Sequence, residues 1–262
     1  MKYLLTALLA LFITAETMAL DKLMFEGREV HYSVPNGQGP FPLVLALHGR
    51  NGNGPQFERQ AGFAELGEQE GFITVLPSAG SGKWEKSDIG FMVNLVRHMA
   101  NIVPVNTNQI YVSGMSNGGV MSYWLACDAS DVFAAAAPVA ATLYRRDQCD
   151  PQPPVSVLAF NATDDTTTKY DGGWQTLGAE KSIAKFTTDC VLGFRNKFDR
   201  YAVTGYECNL GRSGLFTIFE GGHSWPGSDR SWSGSTPTKA VDATAEAWKF
   251  FDSLREVPPE CR

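Results

Sequence analysis

Gly114-Met115-Ser116-Asn117-Gly118 is a G-x-S-x-G segment between an apolar run ending near Ser113 and a helix-like stretch starting at Asn117. Small residues on both sides of a serine permit a sharp, strained turn that lifts the hydroxyl above a sheet. The helix that follows points its N-terminus at any oxyanion formed there. Ser116 is therefore a candidate nucleophile, and it needs a base. The chain has only four histidines, His31, His48, His98 and His223. His31 falls in an early strand and His98 within a helix. His48, in Leu47-His48-Gly49, follows a buried strand and suits packing or loop orientation. Elimination and position both select His223, in the loop after the last predicted strand.

A third group must orient the imidazole and stabilise its charged form. Asp164 and Asp165 follow a strand between Ser116 and His223, with Asp171 further along, and local logic does not choose between the first two. An oxyanion hole needs two backbone N–H groups. Asn117 supplies one. The other comes from the glycine-rich loop His48-Gly49-Arg50-Asn51-Gly52-Asn53-Gly54, at Arg50 or Gly49. Trp84, Trp225 and Trp232 lie in segments able to ring such a site. Trp84 and Trp225 are candidate substrate-stacking residues, with core packing as the alternative. Gly80-Ser81-Gly82-Lys83-Trp84 is not a phosphate loop, since it lacks the first glycine and the closing Ser/Thr. Asn161-Ala162-Thr163 is a glycosylation sequon beside the acid loop.

These residues need a frame, and strand-like and helical stretches alternate along the chain. Strands are expected over 28–34, 42–47, 72–76, 109–113, 134–139, 155–160 and 215–219. Helices are expected over 57–69, 89–102, 117–126, 181–186 and 238–254, the last capped by Thr238. The run over 42–47 is apolar throughout and that over 72–76 is apolar but for Thr74, as suits strands buried on both faces. The pattern predicts a mainly parallel sheet flanked by helices, in one domain without a large cap. The order Ser…Asp…His is that of α/β-hydrolases. Residues 166–212 read as irregular around the one helix.

The chain has 262 residues, 44% of them hydrophobic and 19% charged, which is globular composition. Its net charge of −6 and lack of basic runs argue against nucleic acid and anionic membrane surfaces. Residues 1–19 read as a secretory signal, with Lys2, an apolar core and a cut after Ala19; residues 20–262 form the hydrolase domain. A secreted or periplasmic location follows, with no membrane association once the leader is removed. Oligomeric state is not legible. There is no CxxC or metal-ligand spacing, so neither metal nor cofactor is expected, and chelators are expected to be without effect. Five cysteines permit disulfides after export. Pairing of neighbours, Cys127 with Cys149 and Cys190 with Cys208, is one of several possible connectivities.

Together these segments resemble the secreted esterases of the poly(3-hydroxybutyrate) depolymerase family, which shades into feruloyl and acetylxylan esterases. The resemblance rests on Leu47-His48-Gly49 with Gly52 and Gly54, Leu76-Pro77-Ser78-Ala79, Asp88-Ile89-Gly90-Phe91, Gly114-Met115-Ser116-Asn117-Gly118-Gly119, Tyr170-Asp171-Gly172-Gly173 and Gly222-His223-Ser224-Trp225-Pro226-Gly227. It implies a serine carboxylic-ester hydrolase working through Ser116, His223 and an aspartate. The family's H-G-T-x-D segment falls on Asn161-Ala162-Thr163-Asp164-Asp165, which implies Asp165 as the acid, with Asn-Ala replacing His-Gly. It also implies the pairs Cys127–Cys149 and Cys190–Cys208. Arg50 stands where the family often has Cys, which leaves Cys261 over. Expected substrates are soluble hydroxyalkanoate oligomers or similar esters, with feruloyl or acetylxylan esters as the alternative. A serine peptidase and a non-catalytic binding protein on the same scaffold are more distant readings. With no aromatic patch evident for adsorption, crystalline polymer is expected to be a poor substrate.

Overall fold

The computed structural model describes residues 20–230 and 234–254. The expected leader, Trp232 and Cys261 lie outside the described residues. Ten strands form one sheet: β1 (Asp21–Phe25), β2 (Arg28–Ser33), β3 (Phe41–Leu47), β4 (Ile73–Pro77), β5 (Val105–Met115), β6 (Ala135–Val139), β7 (Ser156–Ala162), β8 (Cys190–Lys197), β9 (Tyr201–Cys208) and β10 (Arg212–Ile218). Their spatial order is β1-β2-β4-β3-β5-β6-β7-β10-β9-β8. The inner six, β4 to β10 in that order, run parallel, and an antiparallel pair extends the sheet at each edge. The helices are α1 (Gly54–Ala61), α2 (Phe63–Glu70), α3 (Ile89–Ile102), α4 (Asn117–Asp128), α5 (Ala179–Ile183) and α6 (Ala243–Asp252).

The central strands are buried on both faces, and β3 shows why its run is apolar throughout. Leu43, Leu45 and Leu47 pack with α3, α4 and α5, while Val44 and Ala46 pack with α1, α2 and α6. A strand with two dry faces leaves no position for a polar side chain without a hydrogen-bond partner. No helix among the described residues is long and apolar enough to cross a membrane.

Four expectations need correction. The single helix over 57–69 is two helices, because Gly62, at φ 72°, ends α1 in a left-handed cap. The last helix begins at Ala243. The Asp242 carboxylate accepts the N–H groups of Thr244 and Ala245, whereas the Thr238 hydroxyl is taken up by Ala240 N–H in the preceding turn. Strand β1 was not anticipated. The stretch 166–212 also holds two strands, β8 and β9. They escape pattern reading because β8 is exposed along nearly its whole length and has no alternating buried face. That hairpin exposes Val191, Leu192, Phe194 and Phe198, so an apolar surface exists where none was evident in the sequence. Cys190 and Cys208 face each other across it and are bonded, and a second disulfide joins Cys127 at the end of α4 to Cys149.

Candidate active site

Parallel strands deliver the loops at their C-terminal ends to one edge of the sheet. Here those loops follow β3, β5, β7 and β10. Ser116 is the junction between β5 and α4, at φ 55° and ψ −117°. A non-glycine residue in that region is strained, and it persists because the surroundings over-determine it. Ser116 N–H donates to Val139 O at 2.9 Å, and Ser116 O accepts from Val120 N–H at 2.8 Å. The glycines permit the close approach. A Cβ on Gly118 would overlap the Leu47 carbonyl, and one on Gly114 would sit 2.7 Å from Gly118. We expect Gly118→Ala to lower stability by about 3 kcal/mol or to prevent folding, read by thermal denaturation. A melting temperature matching the parent would contradict this packing.

Strands β7 and β10 are neighbours in parallel register, so the loops after them meet. Asp165, 4% exposed, and His223, 7% exposed, come from those loops. The Asp165 carboxylate accepts Nδ1–H of His223 at Oδ2, 2.8 Å away. His223 Nε2 lies 2.9 Å from Ser116 Oγ, where it can accept the hydroxyl proton. The other carboxylate oxygen, Oδ1, accepts Thr167 N–H and Thr168 N–H, each at 2.8 Å. Asp164 points elsewhere. Its carboxylate accepts the N–H groups of Gly221 and Gly222, at 3.2 and 2.9 Å, and so ties the histidine loop to the acid loop. The structure thus brings Ser116, His223 and Asp165 into one hydrogen-bonded row.

The loop after β3 is held from several sides. His48 is 1% exposed. Its Nδ1–H donates to Gly49 O at 2.6 Å, and its Nε2 accepts Ala79 N–H at 3.0 Å. That pattern requires the neutral ring, and burial lowers its pKa accordingly. Asn51 N–H donates to Gly82 O at 2.6 Å. The segment rejected as a phosphate loop is therefore a brace for the loop that carries Arg50. Asn117 clasps the same segment: its side chain accepts Trp84 N–H at 2.6 Å and donates to Trp84 O at 3.0 Å. Asn117 also opens α4, where the first N–H groups have no intrahelical acceptor.

Trp84 and Trp225 do not face the cleft. Each is 1% exposed. The Trp84 indole N–H donates to His48 O, and that of Trp225 donates to the Thr244 hydroxyl. Large apolar rings with a satisfied N–H are core members, so substrate stacking is corrected to support of the loops. His98 stacks on Phe25, and His31 lies in β2. Asn161 is 1% exposed and its amide donates to Ala141 O, so the sequon is not accessible to a glycan.

The cleft at Ser116 measures about 260 Å³. Beyond the residues expected from sequence, Gln56, Phe57 and Gln60 of α1, with Met115 and Thr167, form its walls. Sequence reasoning missed these because the apolar period of α1 says which face is buried, not that one end of it meets the nucleophile. On the same helix, Glu58 caps the start of α2 by accepting Ala64 N–H, while its other oxygen is buried without a partner. Burial pushes its pKa up to about 7. A raised carboxyl pKa favours the fold while protonated, and that contribution is lost as pH rises from the unfolded value through 7. We expect Glu58→Gln to raise the melting temperature above that pH, by no more than ~3 kcal/mol of stability, and to leave it near the parent's in acid. Equal melting curves for both proteins on both sides of pH 7 would contradict this.

The sequence profile of the prolyl oligopeptidase family matches residues 76–152, the part holding β5, Ser116 and α4. Feruloyl esterase B of Piromyces equi is 26% identical over 230 residues, covering 75% of this chain and 42% of that protein. The chain therefore spans under half the length of that relative. A probable feruloyl esterase C of Aspergillus niger is 25% identical over 253 residues, covering 90% of this chain and 87% of the relative. Among solved structures, the acetyl xylan esterase from Aspergillus awamori superposes with a TM-score of 0.66 at 16% identity, over 90% of this chain and 99% of that one. By fold this chain is an α/β-hydrolase, and the three similar proteins just named are esterases.

Proposed function

We propose that the chain is a serine carboxylic-ester hydrolase acting on feruloyl or acetyl esters of the plant cell wall. The observation that carries the chemistry is the row Ser116–His223–Asp165, with 2.9 and 2.8 Å between successive polar atoms. Ser116 Oγ attacks the ester carbonyl as His223 Nε2 takes its proton. Asp165 keeps the imidazole in the tautomer with Nδ1–H and stabilises the cation that forms. The N–H groups of Asn117 and of the Arg50 turn receive the oxyanion, each worth about 3 kcal/mol of barrier. His223 then protonates the leaving alcohol, and water repeats the sequence on the acyl-enzyme. The acyl and alcohol preference follows the relatives named above, and two disulfides accord with an extracellular site of action after removal of residues 1–19.

Hydrolysis of soluble hydroxyalkanoate oligomers is the second reading, favoured by the Gly114–Gly119 and Gly222–Gly227 segments that resemble the depolymerase family. A panel of methyl ferulate, acetylated xylan, hydroxybutyrate oligomers and a peptide anilide separates these readings from each other and from a peptidase. Cell-wall esters are expected to give the highest kcat/KM. Faster turnover of the oligomers would reverse the order, and cleavage of the peptide alone would overturn the esterase reading.

A further inference from the structure

The charge at the cleft runs against the charge of the chain. The protein carries a net −6, yet among the described residues no Asp or Glu lines the space beside Ser116. Its polar lining includes the neutral side chains of Gln56, Gln60 and Thr167, and the one Lys or Arg there is Arg50. Arg50 is exposed, and its guanidinium has no ion pair or hydrogen bond among the described residues. Its backbone, by contrast, is fixed on the C-terminal side. Asn51 N–H is bonded to Gly82 O, and Gly52 N–H to Gly49 O at 3.1 Å. A cation is thus rooted in a braced turn at the mouth of an uncharged cleft.

We propose that Arg50 selects esters carrying a carboxylate close to the scissile bond, on the acyl or the alcohol side. This deepens, and rests on, the esterase reading. A guanidinium presents a planar pair of N–H donors that matches a carboxylate, and it keeps its charge at every working pH. Because Arg50 is open to water, the gain is modest, about two- to fivefold in kcat/KM, expressed through KM. Being a contact between exposed charges, it weakens with ionic strength.

Two matched pairs test this. On the acyl side, 4-nitrophenyl hemiglutarate is compared with 4-nitrophenyl pentanoate. On the alcohol side, 4-acetoxybenzoate is compared with its methyl ester. The charged member of at least one pair is expected to have the higher kcat/KM, and the preference is expected to fall in high salt. In Arg50→Gln the charged-to-neutral ratio should collapse toward one, and Arg50→Lys should restore part of it. The ratio is read within each variant, so a change in overall rate does not disturb it. Turnover of the neutral esters without a charged preference in either pair would overturn the role of Arg50 while leaving the esterase reading intact. So would a preference that Arg50→Gln leaves unchanged. Failure to hydrolyse any of the four esters would remove both.

Discussion

Ser116→Ala is expected to reduce kcat on a 4-nitrophenyl ester by about 10⁶-fold, leaving only the catalysis that binding and the oxyanion hole provide. Oγ is the atom His223 Nε2 faces at 2.9 Å. Labelling by a fluorophosphonate should vanish with activity. The fold should not suffer, since alanine keeps the Cβ and the backbone bonds of Ser116 to Val139 and Val120 do not involve the side chain. Alanine also keeps the strain at φ 55°. Ser116→Gly should therefore be equally inactive yet more stable than Ser116→Ala by about 1 kcal/mol, because glycine occupies that region freely. A folded Ser116→Ala variant that still hydrolyses ester would remove Ser116 as nucleophile.

Much of the candidate site is legible in the sequence because its residues sit at strand ends, and buried parallel strands announce themselves by nearly unbroken apolar runs. The elbow at 114–118 and the strand over 155–160 placed Ser116 and the acid loop. What could not be read is where side chains point. Asp164 and Asp165 are adjacent and alike. Only the loop geometry turns one toward His223 and the other toward the Gly221 and Gly222 amides. Trp84 and Trp225 lie in the right segments yet turn inward, each ring 1% exposed beneath its loop, where burial of a large apolar surface is favourable. The edge strand β8 stayed hidden for the opposite reason: an exposed strand has no buried face to impose a period.

The two aspartates offer the sharpest test of the arrangement. Asp165→Asn is expected to lower kcat by roughly 10⁴-fold, the loss expected when a triad acid is replaced by its amide. The geometry says why. Two N–H groups, from Thr167 and Thr168, converge on Oδ1. An asparagine must present its carbonyl oxygen to them, which puts its NH₂ against His223 Nδ1. That nitrogen must then accept, so the ring proton moves to Nε2, facing Ser116 Oγ, and the base can no longer take the serine proton. Asp164→Asn leaves this row untouched. Its side chain braces the Gly221 and Gly222 amides, and the amide variant keeps one acceptor for them. A fall in kcat of less than about tenfold is expected, with a stability loss of about 1–2 kcal/mol. Measuring kcat/KM and melting temperature for both variants distinguishes the roles. If Asp164→Asn is the one that loses activity while Asp165→Asn keeps it, the carboxylate that orients His223 in solution is not the one hydrogen-bonded to it in this structure.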